Sequence, residues 1–348
     1  MPRPVFWSGQ PNAAVKVFLA RPRGFCAGVV RAVDIVNIAL ERFSAPVYVR
    51  KEIVHNRAVV EDFKTRGVIF IDHLDEAPEG SLVVFSAHGV SPEVRERAEE
   101  RGLRVIDATC PLVTKVHLEV HRFLREGFQL VLIGHRSHDE VDGTLGEAPG
   151  KIQLVESVED VSRLMFSPAD RIMILTQTTL SLDETRGVIL AIKGRFPKAR
   201  TPPKDDICYA TQNRQDAVKD LLGRGIKLLL VVGSKNSSNS QRLVDVARQS
   251  GCDAHLIDGA SEIDPSWISR VNSVGVTAGA SAPEHLVQGV ISFLQVRGGV
   301  VEEVLVRNED THFSLPKELT DPLPGARPGG PLLSREGRGH RMGEGTSV

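Results

Sequence analysis

The sequence contains no apolar run that approaches the roughly 20 residues needed to cross a bilayer, so no membrane span is expected. Charge of one sign is also missing. A formal net charge of -1 removes the general electrostatic case for nucleic acid or an anionic membrane surface and leaves open only a local basic pocket. Cysteine is scarce, and four in 348 residues are too few for a disulfide scaffold. A reducing, cytoplasmic setting is therefore expected. The opening stretch MPRPVFWSGQPNAAVKVFLA lacks a basic segment followed by a long apolar one, so it does not read as a secretory signal. No glycine-rich nicotinamide fingerprint follows a strand, and no second cysteine cluster is present, so electrons for any redox step must come from outside the chain.

The composition, 41% hydrophobic and 25% charged, is that of a globular protein with ample core, and its length suggests about two domains. Apolar runs of strand length alternate with stretches of helical periodicity, which predicts parallel sheets covered by helices. The expected strands begin near Val15, Pro46, Leu82, Leu103, Gln129, Arg171, Lys227, Ala254 and Ser273. The pattern divides into three small α/β lobes at 15–110, 111–206 and 207–298, arranged around a centre. Residues 1–14 form an extension and 299–318 a C-terminal segment. From 319 to 348 the chain is rich in Pro, Gly and Arg without periodicity, and reads as a disordered tail whose removal after Glu318 leaves folding unchanged.

Cys26, Cys110 and Cys208 each sit in a short loop that leads into a helix. Their separations exclude the two-residue gaps of zinc knuckles and ferredoxin-type runs. Two readings stand: one metal centre assembled by the fold, with a cluster position left open for substrate, or three unrelated buried thiols. Cys252 reads as a small core residue. Ligands of open α/β sheets gather beyond the strands' carboxyl ends, and the loops there are polar. They carry His55, His88, His135, His138, Glu140, Thr178, Thr179, Ser237, Ser238, Asn239 and Ser281, a set suited to phosphate oxygens. Local alternatives exist. Ser281 with Glu284, and Ser181 with Glu184, fit a helix capping box. His117 and His121 have the spacing of a metal pair, but their polar neighbours favour a solvated face.

The ordered motifs RPRGFCAGV, VHNR, FSAHGVS, DATCPLVTKVH, HxEVxGT at His138 to Thr144, TQTTLS, KDDICYAT, VVGSKNSSNS and GVTAGASAP resemble the 4-hydroxy-3-methylbut-2-enyl diphosphate reductases from about Val15 to Glu318. The resemblance implies a pseudo-threefold trefoil around one 4Fe-4S cluster per chain, with Cys26, Cys110 and Cys208 as its three protein ligands. It implies an allylic diphosphate substrate whose hydroxyl meets the fourth iron, and Glu140 as proton donor, with Thr178 hydrogen-bonding both. His55, His88, His138, Ser237, Ser238, Asn239 and Ser281 then resemble the diphosphate pocket, which sets aside the capping reading of Ser281. A ferredoxin or flavodoxin is the implied electron donor. Asp139 and Asp142 depart from the Pro and Glu common at those positions. A hydro-lyase using an open iron without net electron transfer, and a non-enzymatic cluster carrier, are the competing readings.

Overall fold

The computed structural model describes residues 15–43 and 45–320, so the N-terminal extension and all but the first two residues of the expected tail lie outside the described residues. Among the described residues the strands are β1 (Lys16–Arg21), β2 (Val47–Arg50), β3 (Val68–Ile71), β4 (Leu82–Phe85), β5 (Arg104–Asp107), β6 (Gln129–Ile133), β7 (Ile152–Val155), β8 (Ile172–Thr176), β9 (Leu228–Val232), β10 (Asp253–Ile257), β11 (Ser273–Ala278) and β12 (Val300–Leu305). They form three sheets, ordered β10-β9-β11-β1-β12, β3-β2-β4-β5 and β7-β6-β8. Every pairing is parallel. The expected α/β class with three lobes is what the chain adopts.

The nine strands legible in the sequence are all present. The three that were not, β3, β7 and β12, each lie at a sheet edge. Edge position alone does not hide a strand, since β5, β8 and β10 are edges too and are legible; β12 is interrupted by Glu302 and Glu303 and β7 by Gln153. β9 is buried at every position, whereas β12 is largely uncovered, with Val300 and Leu305 exposed.

The lobe boundaries differ from the expected ones in an informative way. β1 does not join the sheet of residues 47–107. It lies between β11 and β12 in the five-stranded sheet, with Val17 opposite both Val274 and Val301. β12, expected outside the third lobe, completes that sheet. The helix after β1, Ala27–Phe43, buries Ala32, Ile35, Val36 and Ala39 along one stripe against Val47, Val49, Val84 and Ile106 of the four-stranded lobe.

The same handover recurs twice. β5 leaves the four-stranded sheet, and the helix Pro111–Arg125 sets Val120 and Phe123 on Leu130 and Leu132 of the three-stranded one. After β8 the chain runs through one further helix. The next, Tyr209–Gly223, packs Ala217, Val218 and Leu221 against Phe18, Leu229 and Val231 of the five-stranded lobe. Cys26, Cys110 and Cys208 occupy the three crossover points.

Past β12 the chain returns to the four-stranded lobe. Arg31 Nε donates to the Ser314 carbonyl at 2.8 Å, and Leu319, in the short helix Lys317–Thr320, is 3% exposed within that lobe's core. Leu319 was expected in the tail but is a core residue, because its leucyl side chain supplies the apolar contact that the flanking Lys317 and Glu318 cannot. Leu319→Ala is expected to cost about 2–5 kcal/mol in denaturant unfolding. A chain ended after Glu318 should melt below one ended after Thr320, and equal midpoints would show that the Leu319 contact contributes nothing.

Candidate active site

Each crossover cysteine is fixed by its own backbone. The N–H of Cys26 donates to Ala280 O at 3.1 Å, that of Cys110 to Ala87 O at 2.9 Å and that of Cys208 to Thr178 O at 3.0 Å. Those acceptors lie in the loops that carry Ser281, His88 and Thr178 itself. Cys110 and Cys208 then cap the helices they precede. Of the residues singled out for chemistry, all but Cys26 and His135 line one cavity, and Cys26 stands beside it next to Gly28. A Cβ added to Gly28 would come within 2.7 Å of Cys110 Sγ and 3.9 Å of Cys26 Sγ, so only glycine allows the two sulfurs to approach there.

The thiols are free, and their mutual proximity affects their ionisation. Burial, reinforced by Cys26 and Cys208, pushes Cys110 up to about 12. Burial and Cys26 push Cys208 up to about 11, opposed by hydrogen bonds from Thr211. Thiols crowded in this way ionise only when a cation shares the space. The three thiols, two of them at Gly28, are soft donors of the kind that suit an iron-sulfur group. Cys252 lies apart, buried in the core of the five-stranded lobe.

Glu140 sits on the first turn of the helix Asp139–Gly146 and is 3% exposed. Its Oε1 accepts the Thr178 N–H at 2.6 Å and its Oε2 accepts the Thr178 hydroxyl at 3.0 Å. Burial raises its carboxyl to about 7 despite both Thr178 donors, so the group holds a proton near neutrality.

Three imidazoles line the same cavity. His55 and His88 stack with centroids 3.9 Å apart, and His138 meets them edge-on at 5.2 and 5.8 Å. Burial holds His88 well below the usual imidazole range and His138 down at about 3. His138 Nδ1 accepts the Glu140 N–H at 3.2 Å, which leaves its Nε2 as the donor. Ser237 caps the helix Ser238–Gln249, and Thr179 donates to Ser238 at 3.0 Å. Asn239 accepts the Ala280 N–H at 2.8 Å and donates to Thr211 at 3.2 Å.

Several local readings change. Ser281 is not a helix cap: its hydroxyl donates to His55 O at 2.8 Å, Pro283 takes the cap position, and Glu284 pairs with Arg23. Ser181 does cap, but through the Asp183 N–H, and Glu184 pairs with Arg242. His135 is bonded to Arg242 at 2.8 Å, outside the cavity. His117 is buried rather than solvated, and with exposed His121 it grips Glu147 at 2.7 Å on each side. Hydrogen bonding to that carboxylate compensates the burial.

Arg214 gave no motif signal. It is fully buried and donates to Gly24 O at 2.7 Å, to Ala210 O at 2.8 Å and to Glu309 at 3.0 Å, tying the Cys26 loop to the Cys208 helix. A lone arginine in a helical sequence looks like any solvated residue, so only the fold reveals it. Glu52 was missed as well. Its carboxylate lies 3.3 Å from His55 Nδ1 and accepts from Asn236 Nδ2 at 2.7 Å.

The family model described as LytB protein matches residues 17–295. A relative from Hahella chejuensis named 4-hydroxy-3-methylbut-2-enyl diphosphate reductase is 57% identical, covering 88% of this chain and 98% of that one. One of the same name from Bordetella pertussis is 58% identical over 88% of this chain and 95% of its own. Among solved structures, the E-1-hydroxy-2-methyl-but-2-enyl-4-diphosphate reductase from Plasmodium falciparum superposes with a TM-score of 0.85 at 37% identity, covering 88% of this chain and 97% of that one. A second, described as the terminal enzyme of the non-mevalonate pathway, gives a TM-score of 0.59 at 35% identity over 81% and 99%. With the match spanning all three crossover cysteines and each lobe, the chain belongs to the LytB protein family.

Proposed function

We propose that the chain catalyses reductive dehydroxylation of (E)-4-hydroxy-3-methylbut-2-enyl diphosphate to isopentenyl and dimethylallyl diphosphate, the terminal step of the non-mevalonate route. The observation that carries this reading is the meeting in one cavity of two thiols, with Cys26 beside them at Gly28, a buried proton-holding carboxyl and a wall of imidazoles and hydroxyls. Cys26, Cys110 and Cys208 hold the 4Fe-4S group. When bound, it supplies electrons singly and a Lewis-acidic iron without a protein ligand.

The remaining chemistry falls to the chain's own side chains. Losing hydroxide from an allylic carbon is slow unless the oxygen departs as water, which requires a proton at that oxygen. Glu140 holds that proton, and Thr178 fixes the orientation of the carboxyl through two hydrogen bonds. The balance is substrate plus two electrons and two protons, giving a C–H bond and water. His138 Nε2, the hydroxyls of Ser237, Ser238 and Ser281, Asn239, and the His55–His88 pair grip the diphosphate. Each charge-assisted hydrogen bond is worth roughly 1.5–3 kcal/mol net, and this remote binding energy serves to place the reacting carbon. Val29, Val54, Ala87 and Val113 face the cavity and keep water from the allyl portion. A ferredoxin or flavodoxin in the cytoplasm is the proposed electron source.

Glu140→Gln preserves size but removes the proton. Substrate affinity should stay within a few-fold, while the single-turnover rate with excess reductant falls about 10²- to 10⁴-fold. A wild-type rate would remove Glu140 from the chemistry.

Because the neutral carboxyl is the active form, the rate of the chemical step should be level below the Glu140 value of about 7 and decline as pH rises through it, and the Gln variant should lack that limb. A pH–rate profile that keeps the same limb in Glu140→Gln would assign it to another group.

Ser replacements at Cys26, Cys110 and Cys208 should each lose most iron after anaerobic reconstitution, whereas Cys252→Ser should keep a full complement. Full iron content in the Cys110 variant would defeat the assignment.

A further inference from the structure

We propose that His55, His88 and Asp139 form a second metal site, selective for a divalent transition metal such as Zn²⁺, and that an ion there excludes substrate. The exclusion rests on the diphosphate reading above; the binding does not. One ligand atom from each residue lies within 4.8 Å of the others, and His55 Nε2 is 3.8 Å from Asp139 Oδ2. Zinc bonds to imidazole nitrogen and carboxylate oxygen are about 2.0–2.2 Å, so closing the site around an ion takes side-chain shifts on the order of 1 Å.

The supporting shell is the independent observation. Imidazole ligands of metals almost always donate their other ring N–H to a carboxylate, carbonyl or water, which bares the ligating nitrogen. His55 Nδ1 has such a partner in the Glu52 carboxylate, at 3.3 Å. An ionised carboxylate only accepts, so Nδ1 carries the hydrogen and Nε2, facing Asp139, carries a lone pair. Asn236 fixes Glu52 in turn. His88 Nδ1 lies 3.3 Å from the Ser86 hydroxyl, which can accept in the same way. Two neutral imidazoles and one carboxylate suit zinc or another borderline ion and suit Mg²⁺ poorly.

Diphosphate requires the opposite protonation at the same atoms, since a ring nitrogen must carry hydrogen to donate to a phosphate oxygen. A metal and the diphosphate therefore compete for His55 and His88. Asp139 belongs to the metal state alone, because its carboxylate repels a diphosphate.

The test uses the cluster-loaded chain. Zinc and iron are measured together after equilibrium dialysis against buffered Zn²⁺, for wild type, Asp139→Pro and Glu52→Gln. Proline is tolerated at the first position of a helix, where Asp139 stands, so the first variant should fold. Wild type should hold one additional zinc with its iron unchanged. Asp139→Pro should bind at least about tenfold more weakly, and Glu52→Gln about 10- to 100-fold more weakly, the range typical of a lost supporting partner. Zn²⁺ should inhibit wild-type turnover competitively with the allylic diphosphate, Mg²⁺ should not, and Asp139→Pro without zinc should turn over normally. Equal zinc binding by wild type and Asp139→Pro, no zinc uptake, or zinc uptake matched by iron loss would each overturn the site. Zinc bound through Asp139 without competition against substrate would leave the site standing and overturn the placement of the diphosphate.

Discussion

Three backbone hydrogen bonds hold the architecture to the chemistry. The N–H groups of Cys26, Cys110 and Cys208 each donate to the loop at the end of a strand in the sheet their segment is leaving, while the helices that follow pack on the next sheet. A cysteine at each crossover is thus fixed by one lobe and continued by another, and the sulfurs can converge only if all three lobes are in place. Arg214 reinforces one of these junctions from below, with its guanidinium shared between the Cys26 loop, the Cys208 helix and Glu309. Removing a partner from such a buried charge leaves an uncompensated ion, which is far costlier than losing a surface pair.

The cavity that results is electrostatically divided. Burial outweighs the Thr178 donors and raises the Glu140 carboxyl to about 7, and burial likewise keeps the His88 and His138 imidazoles uncharged. The same physical cause, loss of water, drives an acid and a base toward their neutral forms. Any anion brought against the imidazoles would shift that balance, since its charge stabilises imidazolium. A carboxyl and a cluster of imidazoles can share one small space because burial favours the uncharged form of each.

Much of this was legible in the sequence, and the exceptions have identifiable causes. Strands such as β9 are apolar along their whole length and stand out; β7 and β12 are interrupted by Gln153 and by Glu302 and Glu303 and do not. The loops after the strands revealed their role through residue type, because a serine-asparagine run or a histidine after an apolar strand has few structural explanations. Sheet membership was not legible: KVFLAR reads identically whether it pairs with residues 47–50 or 273–278, and only the crossover at Cys26 decides. Arg214 and Leu319 act through partners remote in the chain, as Glu52 does through Asn236, so their local sequence carries no trace of those contacts. Ser281 shows the converse, since a local capping pattern was present and the tertiary contact with His55 prevailed.

The position of β1 also has a consequence for how the protein is made. It is among the first segments of the described chain to leave the ribosome, yet both of its neighbours, β11 and β12, lie beyond residue 272. For nearly the whole of synthesis the apolar strand Lys16–Arg21 has neither edge satisfied, while the four-stranded and three-stranded lobes, whose strands are contiguous in sequence, can close behind it. An unpaired apolar strand is a template for association with other chains. Cys26, which follows it directly, reaches its place only when that last sheet closes. The order of translation thus separates the making of the two contiguous lobes from the completion of the thiol centre, and the interval between them is the period in which the nascent chain depends most on chaperones.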